Sequence, residues 1–375
     1  AFKKSGSSDV ASAIKSVPGV SVQGGKYVYV RGLGDRYTKS ILNGVDIPGL
    51  DPDRNTIQLD IFPTNIIDNI LVLKSASADL PADFTGGIVD IVTKDYPTKK
   101  EHSISLGGSY NPDMHFNENY LDYKGSSTDF LGFDNGNRSV PINRNQDIPS
   151  TFEYDPLLTA ITKKFNPILS AMKANSAMDY SFGFTTGNQY NVGEGENRLG
   201  FLASLSYKNT TTFYEGAENN FYRRNADTSV FELETDRTQT GDLGRNNVLV
   251  SGLLGTSFKT EKSKYKLNLL HIQNGESTAG YFSQTLNFTD FINFSKDNLE
   301  YTQRSITNAL LSGIHSNEDA SWTTEWALSP TMSKIQDKDI RTTSFRVEDG
   351  VYSIPQNSQP KRIWRDLEEI NAVAK

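Results

Sequence analysis

The pattern of apolar and polar positions changes near residue 100. Before it, short apolar segments are separated by glycine, proline and asparagine. Ser7, Ser8 and Asp9 offer a cap for a helix with Val10, Ala13, Ile14 and Val17 on one face, stopped by Pro18-Gly19. Short β runs follow at Tyr27 to Val30, at Ile41-Leu42 with a turn at Asn43-Gly44, at Ile70 to Leu73, and at Ile88 to Thr93 behind Gly86-Gly87. A second helix is expected from Pro63 through Ile67. Together these elements predict a compact α+β unit over residues 1–98.

From Lys100 onward the alternation has period two and runs longer. His102, Ile104, Leu106 and Tyr110 share a face, and Met178, Tyr180, Phe182 and Phe184 alternate with polar or small residues. Leu199, Phe201, Ala203, Leu205 and Tyr207 oppose Arg198, Ser204, Ser206 and Lys208, with Leu202 as the exception. Val248, Val250, Leu254 and Phe258 form another such face, as do Tyr265, Leu267 and Leu269. Ile306, Leu310 and Ile314 mark a sixth strand, and Trp322, Trp326 and Leu328 a seventh. Strands are thus expected to begin near residues 102, 178, 198, 246, 264, 300 and 321.

The connections alternate in length. Asn191 to Asn197, Glu261 to Ser263 and Ser316 to Ala320 are short. The others run to about 65, 33 and 24 residues, and outer-membrane barrels sort their turns and loops in this way. A sandwich or propeller has no reason to do so. Residues 99–375 therefore predict the N-terminal portion of a transmembrane antiparallel β-barrel. The seventh strand is expected to give way to a loop from about Ile340, with Arg362 to Ala374 approaching an eighth. An open edge in lipid leaves backbone groups unpaired, so further strands are expected from elsewhere.

Composition narrows the function classes. Twenty Phe and 17 Tyr argue against disorder. The absence of cysteine excludes disulfides, thiolate zinc sites and cysteine nucleophiles, and a net charge of -7 gives no case for nucleic acid. No apolar run reaches the length of a spanning helix, and no secretory signal follows Ala1. His102, His115, His271 and His315 lack ligand spacing. Asp51 to Asn55 lacks the glycine and distal glutamate of an EF-hand, and Gly32-Leu33-Gly34 lacks the context of a nucleotide loop. Neither catalysis nor a metal or cofactor is expected.

Five segments, in order, resemble the plug of TonB-dependent receptors. Asp9 through Val20 reads D-V-A-S-A-I-K-S-V-P-G-V, similar to the family's opening helix and its stop. Val30 to Gly34 is similar to the strand ending in R-G, and Ile41 to Val45 to the L-x-D-G-V turn. Ile67 through Lys74 reads I-D-N-I-L-V-L-K, and Gly86 through Lys94 resembles the G-G-x-I-x-I-x-T-K that closes the plug. The resemblance implies a plug inside a barrel of about 22 strands. It also implies a Gram-negative outer membrane, with the TonB complex as partner through a segment upstream of Ala1.

By the same resemblance, Asp35, Arg36, Tyr37, Asp51, Asp53, Arg54 and Asn55 form the ligand-facing apex of the plug. Arg31 pairs with barrel glutamates, Glu325 being the candidate, and Gly32, Gly44, Gly86 and Gly87 are structural. Asp79-Leu80-Pro81 departs from the family by placing acid where arginine is usual, and no TonB box is recognised. Import of a siderophore, cobalamin, glycan or peptide is the implied function. The rival is a scaffold role beside a surface lipoprotein or other outer-membrane subunits; a passive porin is disfavoured because a plug would block it. In the first loop, the amphipathic stretch Pro156 to Met172 is expected to pack within the loop itself. Trp322, Trp326, Tyr207, Tyr265 and Tyr301 are candidates for an interfacial girdle contacting outer-membrane lipid.

Overall fold

The computed structural model describes residues 9–375 except 35, 50–56, 76–79, 81–83, 85, 96, 98, 144, 151–154, 194–196, 288–290, 318, 320 and 356–358. The first unit opens with a helix, Val10–Ile14, capped by Asp9, whose side chain accepts from the Ser12 N–H at 2.8 Å. A hairpin of β1 (Val20–Gln23) and β2 (Tyr27–Val30) follows. Next come β3 (Thr38–Leu42), β4 (Val45–Asp46), β5 (Ile67–Leu73) and β6 (Gly87–Thr93). They form one sheet in the order β4-β3-β6-β5, with β3 and β6 parallel.

Local chemistry explains the joints. Asn43 (φ 54) and Gly44 (φ 74) make the tight β3–β4 turn, and Asn43 Oδ1 accepts from the Thr93 N–H at 2.9 Å. A Cβ on Gly87 would stand 2.8 Å from Val30 Cγ1 and 3.0 Å from the Leu73 carbonyl oxygen. That crowding is why glycine sits where β6 enters the sheet. The helix expected at Pro63 to Ile67 is instead two 3-10 turns, Leu59–Ile61 and Thr64–Ile66, with Ile67 already in β5. Leu59, Ile61 and Ile66 are all buried, so inward packing at short spacing replaces a helical face.

The wall begins with β7 (Glu101–Ser109). A long connection holds the pair β8 (Tyr120–Asp122) and β9 (Met172–Ala174). Then come β10 (Asp179–Asn191), β11 (Arg198–Glu218), β12 (Phe221–Arg224), β13 (Leu233–Lys259), β14 (Ser263–Asn287) and β15 (Phe291–Ser316). The wall ends with β16 (Thr323–Glu348), β17 (Val351–Ser353) and β18 (Lys361–Ala374). All but β8 and β9 lie in one antiparallel sheet of 10 strands, a meander from β7 to β16 with β17 and β18 both on the far side of β16.

Three expectations need correction. The fourth and sixth strands begin at Leu233 and Phe291, well before residues 246 and 300. The fifth connection is not a long loop, because β14 and β15 pair in register up to Asn287 and Phe291. The seventh strand runs to Glu348 rather than yielding to a loop at Ile340, and Lys361–Ala374 is a paired eighth strand. Strands of 25 to 27 residues exceed the roughly 9–11 that cross a bilayer. The surplus lies at the end away from the short turns, where both faces can be polar and the alternation fades.

Candidate functional site

The plug packs on one face of the wall. Val10, Ile14, Val28, Phe62, Ile66 and Val89 share a single core with Leu202, Leu249, Leu253, Leu270, Ile272 and Ile306 of the wall. Register places these wall residues side by side on one face: Leu202 opposes Gly255, Leu253 opposes Leu270, and Ile272 opposes Ile306. Leu202, an exception to the alternation in the sequence, is apolar because the plug covers it. On the opposite face, Leu199, Leu205, Leu254 and Leu269 are exposed. From Leu199 to Tyr207, eight steps of about 3.3 Å span roughly 26 Å along the strand, close to the apolar band of about 25 Å in membrane barrels. Aromatic residues mark its ends on that face: Tyr180 stacks on Tyr207 at 5.8 Å, and Trp326 donates through Nε1 to His315 Nε2 at 2.9 Å beside Tyr265.

Polar contacts join the same surfaces. Asp9 pairs with Lys208 at 2.9 Å, Lys26 with Glu276 at 2.9 Å, and Asp95 with Lys264 at 2.8 Å. Asn65 Nδ2 donates to Ser204 Oγ at 3.1 Å, and Asn268 Nδ2 to Thr93 Oγ1 at 3.2 Å. Asp60 is half-buried among these groups, with Oδ1 out of solvent. Desolvation pushes its carboxyl up to about 6, although Lys26 and Arg304 pull it down. For Asp9 burial acts in the same upward direction, but Lys208 and the bonds from Ser12 overcome it and hold the carboxyl below its usual range.

The expected residues are placed differently. Arg31 is exposed and makes no ion pair with a described residue; with φ 57, followed by Gly32 at φ 75, it forms a left-handed turn that leaves the side chain outside the core. Glu325 is exposed at the short-turn end of β16, opposite Ile314, and does not meet Arg31. The contacts assigned to that pair are made by Lys26, Lys208 and Lys264 instead. Lys208 and Glu276 both fall on the polar phase opposite Leu205 and Leu269, a signal present in the sequence. Arg36 and Tyr37 are exposed, whereas Asp35, Asp51, Asp53, Arg54 and Asn55 lie outside the described residues. Gly44 stands in the tight β3–β4 turn, and Gly86 at the bend entering β6, its N–H donating to the Tyr37 carbonyl at 2.7 Å.

Beyond the plug, the same face of the wall is polar. Arg245, Lys296, Gln239, Asn298, Glu300, Thr278 and Thr342, with Leu243 and Phe282, line a hollow of about 320 Å³. The buried face of the wall then changes sides. Asn209, Thr211 and Phe213 are buried although they follow Leu205 and Tyr207 in phase, because the connection from 110 to 178 lies against the face opposite the plug. Tyr120 meets Phe213 edge-on at 6.0 Å, and Leu121 and Tyr123 form a core with Ala279 and Leu299. Arg138 anchors this loop, pairing with Asp129 at 2.6 Å and Asp134 at 3.0 Å above the Tyr301 ring at 4.0 Å. Tyr301 is therefore only 1% exposed and is no girdle residue. The β-bulge at Asp339 (φ 57) gathers Arg341 and Arg362, and Arg341 Nη1 reaches the Ile168 carbonyl at 2.8 Å. The amphipathic segment of the loop is helical only over Pro156–Thr162.

A small α+β unit packed on one face of a long antiparallel sheet, with an apolar band on the other, defines a plugged membrane β-barrel. Residues 1–88 match the family described as the TonB-dependent Receptor Plug Domain. No curated protein matches it. Among solved structures, the ferric yersiniabactin uptake receptor FyuA from Yersinia pestis aligns with 10% identity and a TM-score of 0.28. The alignment covers 99% of this chain and 59% of that one.

Proposed function

We propose that this chain is the plug and first barrel strands of a TonB-dependent transporter in the outer membrane of a Gram-negative bacterium. It admits a ligand when the TonB complex rearranges the plug. We take residues 1–98 as the plug and 99–375 as barrel. Asp35, Arg36, Tyr37, Asp51, Asp53, Arg54 and Asn55 are assigned to the floor that the ligand reaches.

The observation that supports this reading is how the plug is seated. Its apolar core is continuous with the wall, while its ion pairs are lysine–carboxylate contacts whose lysine partners stay partly exposed. Pairs of this kind contribute about 0–1 kcal/mol each, so they orient the plug without fixing it against a pulling force. Cysteines at Asn65 and Ser204, whose side chains touch in the seated state, provide the test. Oxidation should lock the plug and abolish TonB-dependent uptake, and reductant should restore it. Uptake that continued with the disulfide formed would remove the transport reading, and an intact assembly role under the same lock would favour a scaffold.

A further inference from the structure

The first long connection has an exposed aromatic margin where it meets the wall. We propose that this loop rests on the outer leaflet of the membrane, with Tyr110, Phe116, Phe130 and Phe133 as a second aromatic tier against the lipid headgroups and upper acyl chains. The proposal rests on reading the sheet as a membrane wall.

Height and continuity carry it. The lipid-directed face of β10 and β11 ends at the stacked Tyr180 and Tyr207. Tyr110 directly follows Ser109, which pairs with Asp179, the neighbour of Tyr180. Phe116 lies 5.9 Å from Tyr110, and His115 pins this corner to the wall, its Nε2 standing 3.1 Å from the Thr211 carbonyl oxygen. Farther along the wall, Gln273 Nε2 donates to the Gly132 carbonyl at 2.6 Å, between Phe130 and Phe133. Both contacts are to wall residues just above the apolar band.

The four rings remain 60%, 58%, 59% and 37% exposed in chain order, although the same loop buries Leu121 and Tyr123. Aromatic rings with this placement partition to the membrane interface. Tyr110 continues the lipid-directed phase of β7, and the wall contacts of His115 and Gln273 hold the other rings beside that same face, which commits the patch to lipid.

The chain has no cysteine, so single labelling sites can be introduced cleanly. Nitroxides at Phe116→Cys and Phe130→Cys would be compared in the whole protein, reconstituted in phosphatidylethanolamine–phosphatidylglycerol vesicles. Leu205→Cys serves as the lipid reference and Asp227→Cys as the water reference. Both loop labels should show a ratio of oxygen to nickel-chelate accessibility several-fold above that at Asp227. Ratios equal to Asp227, or shielding from both reagents as under a protein partner, would overturn the proposal. If the Leu205 label itself read as water-exposed, the membrane reading beneath it would fail as well.

Discussion

The lower and upper parts of the same strands bury opposite faces. On β11, Leu202, Ser204 and Ser206 are buried by the plug, whereas seven residues beyond Leu202 the buried set is Asn209, Thr211 and Phe213, beneath the loop. On β14, Leu270 and Ile272 face the plug, while Ala279 faces the loop. One continuous antiparallel ladder with unbroken β13–β14 register carries both arrangements. A strand's alternation therefore reports which side is covered locally, and the cover changes along its length. Below, lipid lies on one side and the plug on the other. Above, water or the hollow lies on one side and folded loop on the other.

The comparison can be broken at one of its most buried charges. Arg138→Ala would leave the Asp129 and Asp134 carboxylates without their cation, and breaking buried pairs of this kind costs about 3–5 kcal/mol. The loop should become sensitive to limited proteolysis while the plug stays protected. Leu253 and Leu254 sharpen the lower half, being adjacent yet 0% and 58% exposed. Leu253→Ala should weaken plug seating by about 2–5 kcal/mol, read by amide exchange of β5 and β6. Leu254→Ala should leave that exchange unchanged. Gly87→Ala forces a methyl against Val30 and the Leu73 carbonyl and should cost about 1–3 kcal/mol in plug stability, read by thermal unfolding.

The smallest effect concerns pH. Asp60 is raised from 3.8 to about 6 by burial, so the folded state binds a proton more tightly than the unfolded one. Its contribution to stability is complete below 3.8 and is lost as pH rises through about 6. Lowering the pH from 7 to 5 should therefore tighten the plug by on the order of 1 kcal/mol. In Asp60→Asn that part of the dependence should vanish; a profile identical to the parent would show that Asp60 does not titrate in this window.

Legibility in the sequence followed the same division. The plug could be read because its glycines and caps answer local demands: Asp9 does cap a helix, Asn43-Gly44 does turn, and Gly87 does stand in a crowded gap. Lipid-facing alternation could be read because lipid on one side forces it. The upper strands could not, since Leu233 to Asn247 is polar on both phases and lacks a period-two signal. Arg31 and Glu325 lie apart in the structure for a different reason. A family motif fixes the position of an arginine in the chain, but the left-handed turn at Arg31 and Gly32 decides where its side chain goes. Sequence groups Tyr301 with the girdle because an aromatic at a strand position reads the same beneath lipid as beneath a loop.

The central claim is that the covered face of the wall inverts between Tyr207 and Asn209. A cysteine scan of β11 from Leu199 to Phe213, in the whole protein in vesicles, tests it with a water-soluble maleimide and a lipid-borne quencher. The account predicts lipid contact at Leu199, Phe201, Ala203, Leu205 and Tyr207, with Leu202, Ser204 and Ser206 protected from both reagents. It then predicts protection at Asn209, Thr211 and Phe213, lost when Arg138→Ala is added. A single phase running unchanged through all of these positions would contradict it.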